Sequence, residues 1–141
     1  MRKYRFGKTS RSKLFTSDFK LRELFQEALD LGLIDISILT GTRHKDEQNE
    51  LCRKGLSKLK YPNSRHNCKK GDFSKAIDAA PYVNGKVSYD HKHCCFLAGI
   101  VLAIAKSKGV KIRWGGNWDM DGEPITDQNF QDLIHYELIE E

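Results

Sequence analysis

The apolar run over residues 94–105, closed by Lys106, Lys108 and Gly109, constrains this chain more than any other feature. It falls far short of the roughly 20 apolar residues that cross a bilayer, so it does not read as a membrane span. A stretch so uniformly apolar has to be covered by the rest of the chain. We therefore expect a largely buried helix over 89–108 that stops at Gly109. With 141 residues the chain buries roughly two-thirds of its extended surface, enough for one core.

The other elements are read around that helix. From Ser17 onward Leu21, Leu24, Phe25, Ala28 and Leu29 recur at helical spacing, with Gly32 placed as a stop. Ile36, Ile38 and Leu39 predict a short strand over 35–40 that turns at Gly41, and a polar helix follows over about 45–54. Residues 61–73 read as a loop. The strand over 75–80 puts Ala76, Asp78 and Ala80 on one face and Ile77 and Ala79 on the other, and Pro81 is expected to end it. Asn84-Gly85 marks a turn, 110–114 a third strand and 115–127 a second long loop. In a last strand over 133–139, His135 and Glu137 share a face while Ile134, Tyr136 and Leu138 point the other way. No repeat, low-complexity tract or linker interrupts the chain, so 1–141 is expected to be one α+β domain, a small, mainly antiparallel sheet packed with helices.

Hydrophobic residues at 39% and charged residues at 30% exclude a disordered chain. The formal charge of +5 favours anionic partners: nucleic acid, a membrane surface or an anionic cell wall. The basic N-terminus lacks the apolar stretch of a secretory signal, which predicts a protein made and kept in a cytoplasm. Cys52, Cys68, Cys94 and Cys95 include an adjacent pair, which suits free buried thiols better than a disulfide framework.

A catalytic zinc site needs three protein ligands, commonly His and carboxylate, an open position for water, and a carboxylate base near that water. His66 in a loop, Asp78 on a strand between small residues and His135 on the last strand supply such a set. Asp132, three residues ahead of His135, has the wrong parity for that face and is expected to turn in from the loop edge as the base. Glu137 competes for that role, although its place beside His135 suits orienting that ligand.

Several segments together resemble a known family, the zinc D-alanyl-D-alanine carboxypeptidases and L-alanyl-D-glutamate endopeptidases, the latter including small phage endolysins. They are Ser64-Arg65-His66, Ala76-Ile77-Asp78, and Asp132-Leu133-Ile134-His135, with Gly41-Thr42-Arg43 through Gln48 and Arg113 to Trp118 in support. The resemblance covers most of the chain. It implies His66, Asp78 and His135 as zinc ligands, Asp132 as catalytic base, and Arg43 as the group that holds substrate and developing oxyanion. Arg43, Gln48, Ser64 and Trp118 are the implied substrate contacts. Two departures stand out: the stretch between His66 and Ala76 is longer than in the usual form, and Ser74 replaces a frequent glycine.

On this reading the chain is a zinc peptidoglycan peptidase that cuts the L-alanyl-D-glutamate bond of stem peptides, in the manner of an endolysin. It would act as a monomer, without nucleic acid and without stable membrane insertion, reaching the wall from the host cytoplasm once the membrane is permeabilised. A D-alanyl-D-alanine carboxypeptidase is the nearer alternative. A basic nucleic-acid-binding protein and a structural zinc site built on His91, His93, Cys94 and Cys95 are the more distant ones. Asp119, Asp121, Glu123 and Asp127 form an oxygen-rich loop of the kind that binds calcium, which makes Ca2+ a second candidate ion.

Overall fold

In the computed structural model, which describes residues 2–126, 128 and 131–139, strand alternation divides one antiparallel sheet into an apolar and a polar face. The elements run α1 (Lys8–Leu14), α2 (Phe19–Asp30), β1 (Asp35–Thr40), α3 (Lys45–Arg53), β2 (Ala76–Val83), β3 (Lys86–Val87), α4 (His91–Lys108), β4 (Ile112–Gly115) and β5 (Asp132–Leu138). The sheet order is β1-β2-β5-β4, with β3 paired to β2, and every strand pair is antiparallel. This is the expected α+β class.

Cross-strand partners share a face, so Ile38 with Ala79, Ile77 with Tyr136, and Ile112 with Leu138 pave the apolar side. The helices α2 and α4 cover that side. Leu21, Leu24, Phe25, Ala28 and Leu29 of α2 are all fully buried, as their spacing predicts. Phe25 meets Tyr136 edge-on at 5.2 Å between ring centroids. From α4 the buried stripe is Cys94, Leu97, Ala98, Val101 and Ala105. The helix is thus buried along one stripe instead of all round, and Phe96 is 52% exposed.

The caps agree with local chemistry. Asp18 accepts from the Lys20 amide at the start of α2 and Asp90 from the Lys92 amide at the start of α4. Gly109 closes α4 in the left-handed region at φ 72°, which a glycine adopts without steric cost.

The structure corrects the sequence reading at four points. Pro81 does not end β2, which continues to Val83; the proline pairs with Ile36 and its carbonyl accepts from the Ser88 amide. Beyond it, Asn84 and Gly85, both at positive φ, make a tight hairpin into β3, so the turn was legible but the short strand was not. The helix α1 was not expected at all. The four cysteines are free, but only Cys94 is buried, and burial raises its thiol to about 11.

Candidate active site

The polar face of the sheet is where the charged groups meet. Asp78 of β2 is the cross-strand partner of His135 of β5, and Ala76 is the partner of Glu137. His66 arrives from the loop after α3. One donor atom from each of His66, Asp78 and His135 lies within 4.8 Å of the others. Nε2 of His66 stands 3.2 Å and Nδ1 of His135 3.3 Å from the same carboxylate oxygen, Oδ1 of Asp78.

Both imidazoles are oriented from behind. Nδ1 of His66 lies 2.8 Å from the carbonyl oxygen of Gly41, and Nε2 of His135 lies 2.8 Å from Oε1 of Glu137. A carbonyl and a carboxylate only accept, so the hydrogens sit on those outer nitrogens. The inner nitrogens then turn their lone pairs toward Asp78. Three acceptors converging on one point repel each other unless a cation joins them, and the set therefore fits a metal ion. Burial works against a charged His135, but the hydrogen bonds to Asp78 and Glu137 prevail and raise it to about 9. Burial likewise opposes an ionised Asp78, yet His135 and His66 hold it well below the usual carboxylate range.

Asp132 lines the same cavity, of about 910 Å³, as His66, Asp78 and His135. Its parity would forbid this in a regular strand. The register between β4 and β5 resolves the conflict: Trp114 pairs with Tyr136 and the next residue, Gly115, pairs with Asp132, so β5 bulges between them. Gly115 permits it, because a Cβ there would run into the Asp132 backbone. Asp132 is the first residue of β5, one position earlier than the expected start. Burial first, and then the Asp78 charge, raises its carboxyl above the ordinary value.

Arg43 enters from the turn after β1. The Arg43 amide donates to the His66 carbonyl at 2.9 Å, and Nδ2 of Asn67 donates to the Arg43 carbonyl at 2.9 Å, so the arginine and the His66 loop are tied together. Nη2 of Arg43 lies 3.5 Å from Oδ2 of Asp78, and Nη1 donates to Oε1 of Gln48 at 3.0 Å. Gln48, 0% exposed, is not a wall of the cavity. It grips Arg43 on one side and donates to the Leu59 carbonyl at 2.6 Å on the other, so it reaches the site only through its neighbours.

Ser64 and Trp118 do line the cavity. The Ser64 hydroxyl accepts from the His66 amide at 3.2 Å, and the Trp118 ring lies 5.6 Å from that of His135. Arg65 and Arg113 stand in segments that carry the resemblance, but the sequence reading assigned neither a role in the site. Both reach Oε2 of Glu137, Arg113 through Nη2 at 2.9 Å and Arg65 through Nε at 3.7 Å. The signal available was the cross-strand pairing of Arg113 with Glu137, visible once the register is known.

The unexpected helix α1 supports the same corner. Ser10 Oγ accepts from the Ile38 amide at 3.0 Å, and just beyond the helix Thr16 accepts twice from Thr42, at Oγ1 from its amide at 2.8 Å and at the carbonyl from its hydroxyl at 2.9 Å. A Cβ on Gly41 would collide with Thr16 and with the Lys13 carbonyl. Ser74, in place of the frequent glycine, is buried and donates from Oγ to the Ala76 carbonyl at 3.0 Å. The longer loop before it is anchored where the Lys75 amide donates to the Arg65 carbonyl at 3.1 Å.

Elsewhere, His93 bonds through Nδ1 to Ser88 and His91 is exposed; among the described residues only His66, Asp78 and His135 gather as a metal-ligating group. Asp119, Asp121 and Glu123 are exposed, and Asp127 lies outside the described residues. No described helix is long and apolar enough to cross a membrane.

Known proteins resemble this chain in both sequence and fold. The chain is similar to the L-alanyl-D-glutamate peptidase of Escherichia phage T5, 33% identical over 122 residues, which cover 85% of this chain and 85% of that protein. Its structure resembles that of the Serratia marcescens L-Ala D-Glu endopeptidase ChiX, with a TM-score of 0.75 and 24% identity over 96% of this chain and 90% of the other, which establishes a shared fold. The family model for phage L-alanyl-D-glutamate peptidases matches residues 2–139, and the chain belongs to that family.

Proposed function

We propose that this chain is a zinc-dependent peptidoglycan peptidase, an endolysin that hydrolyses the L-alanyl-D-glutamate bond of cell-wall stem peptides. The observation that carries the reading is the convergence of His66, Asp78 and His135, each imidazole fixed from behind, beside a carboxylate that is no part of the triad. The family of the chain supports the choice of bond.

Zinc held by His66, Asp78 and His135 would acidify a water molecule and polarise the scissile carbonyl. Asp132 takes the proton of the attacking water and returns it to the leaving amine nitrogen. Its raised basicity suits that exchange. Arg43, stiffened by Gln48, offers its guanidinium to the carbonyl oxygen as negative charge develops there. Ser64 and Trp118 border the bound peptide, and Gln48 acts on substrate through Arg43. The protein works as a monomer on a wall reached after the membrane is permeabilised.

Mass spectrometry of fragments released from purified peptidoglycan tests the bond. New N-terminal D-glutamate on the stem peptide is the expected product. Free D-alanine as the sole product would favour the carboxypeptidase reading and overturn ours.

A further inference from the structure

We infer that Arg113, assisted by Arg65, is the specificity-determining group that recognises the free carboxylate of the acidic residue next to the scissile bond. This rests on the peptidase reading above and adds to it a residue pair and a chemical feature of the substrate.

Two guanidiniums converge on Glu137, which already accepts from His135. Either arginine alone would balance its charge, so the pair leaves a cationic surplus at this wall. The Arg113 side chain is held by Glu137 yet stays 38% exposed at the cavity, so part of it is open to a bound molecule. The guanidinium stacks 5.7 Å from the Trp118 ring centroid, and Trp118 in turn packs against His135. Arg113 is thus one side chain away from a proposed ligand, and both arginines line the cavity.

A glutamate residue carries two carboxyls and uses one for the next bond. An L-alanyl-D-glutamate unit therefore brings a free carboxylate within a few bonds of the scissile nitrogen. A planar guanidinium partly exposed in the cavity matches that group in charge and shape. Arg43 is engaged by Asp78 and Gln48 on the other side of the site, which leaves this wall for the second anion.

The test compares two peptides that differ only in this group, one with the free carboxylate and one with its primary amide. The wild-type, zinc-loaded enzyme is expected to favour the acid in kcat/KM by about ten-fold or more, the scale of a charge-assisted hydrogen bond. In Arg113→Gln the ratio should fall toward one, in Arg65→Gln part of the way, and in Arg113→Lys it should be partly retained. Calorimetric binding of the two uncleaved peptides to Asp132→Asn should give the same preference without turnover. Equal use of both peptides by the wild type overturns the inference alone. So does an Arg113→Gln enzyme that keeps the preference, or one that loses zinc and both activities in proportion. Cleavage of neither peptide overturns the peptidase reading, and this inference with it.

Discussion

On one side of β2 and β5, Ile77 and Tyr136 are fully buried among aliphatic and aromatic neighbours. On the other side of the same two strands, Asp78 and His135 are each only 8% exposed. Depth is nearly the same, but the means differ. The apolar face is held by contact area, roughly 1.5–3 kcal/mol for each large side chain it removes from water. The polar face holds charges that water would stabilise better, and each is kept by a specific partner: Asp78 by two imidazoles and Arg43, and His135 by Asp78 and Glu137. Packing tolerates approximation. A site made of mutually dependent charges does not.

That contrast can be broken by experiment. Asp132→Asn should lower the lytic rate by about 10²–10⁴-fold, the usual worth of a positioned base, while zinc content and Tm stay near wild type. A lytically active Asp132→Asn beside a zinc-replete, inactive Glu137→Gln would reverse the roles of the two acids. On the opposite face, Phe25→Ala should cost about 3–5 kcal/mol of stability in denaturant titration, yet the folded fraction should bind zinc at full stoichiometry. Loss of zinc from that folded fraction would show that the two faces are not separable.

Glu137→Gln is expected to weaken zinc affinity by about 10–100-fold, because His135 loses the carboxylate that fixes its ring. Competition with a chelator measures it, and unchanged affinity would mean that packing alone orients His135. The smallest effect belongs to a charge outside the site. Burial acts to raise Asp18, but Lys75 and the Lys20 amide outweigh it and hold its carboxyl below the ordinary value. With the folded value lower than the unfolded one, its stabilisation is present above about pH 4 and is lost as pH falls through the folded value. Asp18→Asn should therefore cost about 1 kcal/mol or less near neutral pH and still less in acid, since Asn also caps helices. A pH-independent difference in Tm would remove the charge from the explanation.

How much of this was legible before the structure varies with the kind of signal. Alternation in the last strand put His135 and Glu137 on one face, and the structure agrees. The same alternation put Asp132 on the wrong face, because a bulge is decided by the partner strand and by a glycine that allows close approach, neither of which is written beside Asp132. The segment forming α1 contains a single buried residue, Leu14, so it offers no periodicity to read; its tie is a serine reaching across to β1. Gln48 was expected to touch substrate by resemblance; its bonds to Arg43 and the Leu59 carbonyl, away from the cavity, depend on where the loop after α3 returns.

The strand order has a consequence in time as well as in space. β5 is the last described strand along the chain, yet it lies inside the sheet, between β2 and β4. Its arrival completes the core through Tyr136 and Leu138 and delivers His135 to residues that precede it by 57 positions or more. Contacts of such long range form late, after the entropy of closing the intervening loops has been met. A nascent chain that stops short of β5 has neither a closed sheet nor the full set of His66, Asp78 and His135, so core and polar cluster are completed together at the end of folding.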